Sequence, residues 1–275
     1  MRTSSAIGPL PSPPPRAGEG QGGASRGERI AKLLARAGLC SRRDAERWIA
    51  EGRVSVDGAV LTSPAVVVSA ENDVRVDGEP VPQPERGRLW RYHKPTGLVT
   101  THRDEKGRPT VFGALPKDLP RLISVGRLDL NSEGLLLLTN DGALARRLEL
   151  PATGWVRRYK VRVHGAVDPE RLAALAGGIR IGGVAYGAIR TGLERVQGSN
   201  AWIAMALEEG KNREVRRVLE HLGLQVTRLI RLSYGPFQLG NLERGKVVEV
   251  PRKALAEQLG DEAPRWAVPH ADRRR

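Results

Sequence analysis

Between residues 28 and 50 the apolar positions recur at helical spacing. Ile30, Leu33, Leu34 and Ala37 predict a first helix that stops at Gly38, and Ala45, Trp48 and Ile49 predict a second that ends at Gly52. Ser41 followed by Asp44 is a capping box that starts the second helix. The period then changes to two. "RVSVDGAVL" and "DVRVDGEPV" each alternate into an Asp-Gly turn, the signal of a hairpin. Two short helices beside a small sheet are expected.

Beyond the Pro-rich joint "VPQPERG" the pattern is mixed. "RLWRYHKPTGLVTT" predicts a strand broken at Lys94-Pro95-Thr96-Gly97, and "RRYKVRVHG" and "AWIAMALEEG" predict two more. "DPERLAALAGG" predicts a helix whose Asp168 and Pro169 suit the cap and first turn. In "KNREVRRVLEHLG" the residues Val215, Val218, Leu219 and Leu222 form one stripe, closed by Gly223. At 100° per residue Arg213 and Arg217 fall opposite that stripe, facing solvent, and Arg216 lies at its flank. From there Arg216 either reaches a partly buried acid or merely covers the edge of the core. With no repeated βαβ period, the fold class expected is α+β with a largely antiparallel sheet.

One stretch, "GRLDLNSEGLLLLTNDG", does not reduce to patterning. Leu135 to Leu138 read as a buried strand closing at the turn Asn140-Asp141-Gly142. Arg127 and Asp129 stand just before it. A charge at the mouth of a core costs several kcal/mol unless paired, so Asp129 is either a surface cap or the reactive group of a site.

Charge narrows the choice. The net charge of +14 is uneven: +2 over residues 1–27, −1 over 28–87, +12 over 88–260, where 29 basic residues meet 17 acidic ones, and +1 over 261–275. A basic excess of that size attracts a polyanion, with nucleic acid the leading partner, although it also serves solubility. An aromatic content of 4% argues against a binder that relies on stacked bases. The single Cys40 excludes an internal disulfide and fits a reducing compartment. No apolar run is long enough to cross a membrane, and the Pro-, Gly- and Ser-rich start lacks a signal-peptide core. A disordered arm over 1–27, a basic tail over 261–275 and a cytoplasmic location are expected.

Familiar catalytic sets are missing. There is no GxxxxGK[ST] loop, no GxSxG elbow, and no metal-ligand spacing among five His and one Cys, so neither metal nor cofactor is expected. No helix-turn-helix pattern supports a DNA-binding regulator.

In residues 28–50, Arg29, Lys32, Arg36, Arg42, Arg43 and Arg47 form either a phosphate-contacting face or a solvated face with scattered ion pairs. The order of the residues favours the first, because "RIAKLLARAGLCSRRDAERWIAEGRVSVDG" resembles the S4 RNA-binding domain. "GRLDLNSEGLLLLTNDG" resembles the catalytic motif of the RNA pseudouridine synthases, in the branch that joins an S4 domain to the synthase domain. "RRYKVRV" and "EGKNREVRRVLEHLGLQVTRLIRLSYG" are similar to two further blocks of that branch, the last most similar to the large-subunit ribosomal group.

The resemblance implies an S4 domain and linker over residues 28–87 and a synthase domain over 88–260. It implies that Asp129 is the catalytic aspartate, that Arg127 helps hold the target uridine out of its stack, that Tyr159 lies against the uracil, and that Arg216 pairs with the Asp129 carboxylate. Relatives often carry Lys where this chain has Arg157, which keeps the charge. The partner implied is ribosomal RNA, 23S first, or a ribosome assembly intermediate, and a monomer is expected. An RNA-binding assembly factor without activity is the competing reading. Base extrusion suits a long cation such as Arg127, and an isomerisation needs neither redox cofactor nor energy source.

Overall fold

The structure, a computed structural model, describes residues 27–260. The arm expected over 1–27 and the tail over 261–275 lie outside the described residues, apart from Gly27.

The chain begins with strand β1 (Glu28–Arg29), followed by helices α1 (Ile30–Arg36) and α2 (Arg42–Ala50). The Ser41–Asp44 capping box forms, with Ser41 Oγ accepting from the Asp44 N–H at 3.1 Å. Strands β2 (Val54–Val56) and β3 (Ala59–Val60) make the first hairpin; β4 (Val67–Val68) returns to pair with β1; β5 (Val74–Val76) and β6 (Glu79–Pro80) make the second. In both Asp-Gly turns the two central residues have positive φ, Asp57 51° and Gly58 83°, Asp77 52° and Gly78 84°, the geometry that matches strand twist. Ile30, Leu34, Ala45, Ile49 and Val54 close a small core of their own.

The second part is built on one nine-stranded sheet. Its strands are β7 (Leu89–Lys94), β8 (Ile123–Val125), β9 (Glu133–Thr139), β10 (Arg157–His164), β13 (Ile189–Gln197), β14 (Asn200–Leu207), β15 (Gln225–Tyr234), β16 (Phe237–Gln238) and β17 (Val247–Glu249). The main order is β13-β14-β10-β15-β9-β7-β17, and β9 with β15 is its parallel pair. Between β10 and β13, β11 (Ile179–Ile181) and β12 (Val184–Tyr186) form a separate hairpin. The helices are α3 (Gly142–Glu149), α4 (Pro169–Ala174), α5 (Glu214–His221) and α6 (Arg252–Leu259). The fold is thus α+β, with a mixed, largely antiparallel sheet.

The leucine run is the centre of β9, and every residue of that strand is buried. Leu135 and Leu137 face a core shared with α3 and α6, while Leu136 and Leu138 face a second core with Trp90, Tyr92 and Leu122. A strand buried on both faces reads as a continuous apolar run rather than an alternation. The expected turn at Asn140-Asp141-Gly142 is instead the start of α3, with Asp141 accepting from Ala143 N at 2.8 Å and Leu144 N at 3.1 Å. Asp and Gly serve helix caps as readily as turns, and the pattern alone does not separate them.

Candidate active site

Asp129 sits on the loop between β8 and β9, and the backbone of that loop is held from several sides. The Ser132 N–H closes a turn on Asp129 O at 3.0 Å, Gly97 N donates to Leu130 O at 2.8 Å, and Thr100 Oγ1 donates to Leu128 O at 2.7 Å. Beneath it lies Lys94, wholly buried, whose Nζ donates to Pro95 O (3.0 Å), Asp129 O (3.0 Å) and Ser132 O (2.9 Å). An ammonium has three donors, and here all three are used. Burial pushes the Lys94 pKa down to about 8, against the opposing pull of Asp129 and Glu133. Leu128 is buried in the second core and fixes the loop from the apolar side.

The loop overhangs a cavity of about 940 Å³ on the face of the sheet that α5 covers. That volume admits a nucleotide-sized ligand. Arg127, Asp129, Tyr159 and Arg216, all expected from the sequence, line this one cavity with Arg157, Arg213, Arg231 and Tyr234. Tyr159 is half-buried on β10, opposite Arg231 of β15 in the strand register.

The ion pair differs from expectation. Asp129 Oδ2 lies 3.8 Å from Arg213 Nη1, whereas Arg216, buried, donates from Nη2 to Asn131 O at 2.8 Å and from Nη1 to Val226 O at 3.2 Å. Arg213 is exposed, as expected, but its exposed side chain also lines the cavity beside Asp129. The reason is local: Arg213 is the N-cap residue of α5 in a left-handed conformation (φ 52°, ψ 30°), so the 100° progression does not reach it. Arg216 obeys the progression, lies at the flank of the stripe, and braces the Asp129 loop through its backbone. Burial first, then the charge of Arg213, lowers the Arg216 pKa, and Asp129 opposes both.

Several residues in and around the cavity were given no role by the sequence. Lys94 shares the alternate positions of β7 with Trp90 and Tyr92, and that period of two was the signal of its burial. Arg231 is buried with Nε donating to Leu135 O at 2.8 Å, and its guanidinium lies 5.2 Å from the Tyr234 ring. Arg157 packs over the same ring at 4.7 Å and donates to Tyr234 Oη and to the carbonyls of Trp155 and Glu208. Gly134 has φ 107°, and a Cβ there would stand 2.3 Å from Arg231 O, so the β9–β15 pairing requires glycine.

The six basic residues of the first part are all exposed and line no part of this cavity. Lys32 and Arg36 pair with Glu28, and Arg47 pairs with Asp44 at 3.1 Å and Glu51 at 3.6 Å, while Arg29, Arg42 and Arg43 have no carboxylate partner among the described residues. No group of three His, Cys, Asp or Glu fit to hold a metal, and no helix long and apolar enough to cross a membrane, occurs among the described residues.

Comparison with known proteins bears on both parts of the chain. Residues 28–74 match the S4 domain model and residues 88–221 match the RNA pseudouridylate synthase model. An "uncharacterized RNA pseudouridine synthase" of Rickettsia felis is 48% identical over 83% of this chain and 99% of its own length. The "ribosomal large subunit pseudouridine synthase B" of Yersinia pestis is 44% identical over 83% of this chain and 74% of its own. A solved structure titled "Crystal structure of pseudouridylate synthase" superposes with a TM-score of 0.57 at 28% identity, over 81% of this chain and 95% of that one. The chain belongs to the RNA pseudouridine synthases that carry an S4 domain.

Proposed function

We propose that this protein isomerises a uridine of large-subunit ribosomal RNA to pseudouridine, with Asp129 as the reactive carboxylate. The reaction breaks the bond from the sugar C1′ to N1, turns the uracil and joins C1′ to C5; C5 gives up its proton and N1 takes one up, so nothing is added or lost overall. Asp129 acts on the sugar, by attack at C1′ or by removing a proton beside it. Either route needs an ionised carboxylate, and the guanidinium of Arg213 stands 3.8 Å from it.

The observation that carries the reading is the meeting of Asp129, Arg127 and Tyr159 in one cavity under a loop whose carbonyls are tied to Lys94 and Arg216. Arg127, exposed at the rim, fills the gap left by the extruded nucleotide. Tyr159 packs on the uracil face. Arg216 keeps Asp129 in place through Asn131 O, and Arg213 supplies the counter-charge. A site rigid before substrate arrives spends little free energy on reorganisation. The ribosomal substrate is supported by the name of the Yersinia pestis relative and by the S4 match.

Pseudouridine mapping of ribosomal RNA from cells lacking the protein tests this. One large-subunit pseudouridine should be missing, and should return with the wild-type gene but not with Asp129→Asn. An unchanged map with defective subunit assembly would favour the inactive assembly factor instead.

A further inference from the structure

The sheet has a second exposed face, turned away from the cavity. On β10 the odd positions Arg157, Tyr159, Val161 and Val163 point to the cavity and core, and the even positions Arg158, Lys160, Arg162 and His164 point the other way. Pairing sets these beside like-facing residues of the neighbouring strands. Arg195 of β13 lies opposite Trp202 of β14, Trp202 opposite Arg162 of β10, and Arg162 opposite Arg228 of β15. This row crosses four strands, or about 14 Å at the usual strand spacing. Beside it, Gly192, Ala204 and Lys160 form the next row, and Arg190, Ala206 and Arg158 the one after.

Three features make this more than a solubilising surface. Cations occupy the same face at six positions, and among the described residues only Lys160, with Glu194 at 3.0 Å, and Arg228, with Glu133, have carboxylate partners. Gly192, Ala204 and Ala206 keep the floor between the outer cations low, so a chain can lie across it. Trp202 is half-buried in the middle, with Lys160 Nζ 5.3 Å and Arg228 5.9 Å from its ring. Unpaired guanidinium groups around a shallow floor with one flat aromatic suit a sugar-phosphate backbone and an unpaired base.

We propose that this face, formed by Arg158, Arg162, Arg190, Arg195 and Trp202, is a second RNA-binding surface that holds a single-stranded segment of the substrate RNA outside the cavity. The inference rests on the proposed RNA substrate. It separates two duties: the cavity selects and converts one uridine, and the opposite face adds affinity for the longer RNA around it.

The test uses full-length protein with Arg158, Arg162 and Arg195 all changed to Gln, none of which lines the cavity. The probe is a transcript of the whole 23S ribosomal RNA, with binding followed from about 50 to 200 mM salt. Affinity should fall at least tenfold, and the slope of log affinity against log salt should flatten by about 2 to 3, as each lost phosphate contact removes roughly 0.7–0.9. The single-turnover rate at saturating enzyme should not change, and the corresponding triple Lys variant should restore affinity. Equal affinity and slope in the Gln variant would overturn the proposal. If the wild type itself had no affinity for the transcript, the proposed function would fall and this surface with it.

Discussion

A lysine ammonium without exposed surface is tolerated only where its donors find acceptors, and Lys94 finds three carbonyls, two of them flanking the Asp129 turn. Lys94→Met keeps the stem but orphans those carbonyls. A loss on the order of 3 kcal/mol is expected, read as a lower denaturation midpoint, with a falling turnover rate. The pH dependence has a definite sign. The folded pKa of about 8 lies below the ordinary lysine value, so the folded state holds fewer protons between the two values. Global stability from this group therefore rises from about pH 8 toward the ordinary value and is lost as pH falls through 8. Local anchoring moves the other way, because the neutral amine has one donor fewer. Turnover should thus decline above about pH 8 while the melting temperature does not, and a flat rate profile to pH 9 would remove Lys94 from the mechanism.

The two arginines of α5 part in the same manner. The Arg213–Asp129 pair is half-exposed, so Arg213→Met should change stability by less than about 1 kcal/mol while slowing the chemical step at least tenfold. Arg216→Met should lower both single-turnover rate and melting temperature, because Asn131 O and Val226 O lose their donor. Reversed results would mean that Arg216, not Arg213, is the working partner of the carboxylate.

At the scale of the element, turns and caps explain what the sequence disclosed. Ser41, Asp44 and the two Asp-Gly pairs act on neighbours within a few residues, so their geometry was readable in advance; Ser41→Ala should cost about 1 kcal/mol of stability in the first part of the chain. The stripe of α5 was readable for the same reason, and it placed Arg216 correctly at the flank. Arg213 is exposed as expected, but its place beside Asp129 was not foreseen, because a single left-handed residue ends the helical phase and nothing in "KNRE" announces it. Gly134 depends on a contact with a strand nearly a hundred residues away. Gly134→Ala puts a methyl into the Arg231 carbonyl and should destabilise by more than 2 kcal/mol, seen in chemical denaturation.

For the whole molecule, the uneven charge pointed to a polyanion, but composition could not say which faces carry it. Arg157 and Arg158 are adjacent in sequence and look alike there; the strand sends one under the cavity and the other to the opposite face. Strand order and register decide that, and both arise from long-range pairing. Asp129 was legible through its motif, while the scaffold that immobilises it, Lys94 below and Arg216 beside, emerged only when β7, α5 and the β8–β9 loop met. Catalysis on this view depends on one carboxylate in a cavity whose RNA affinity comes from elsewhere. Wild type and Asp129→Asn should therefore bind the 23S transcript with affinities within about twofold, because the phosphate contacts are intact. Under single-turnover conditions at saturating enzyme, the wild type should convert its uridine and the Asn variant should form no pseudouridine, and conversion by Asp129→Asn at the wild-type rate would contradict the assignment of the catalytic group.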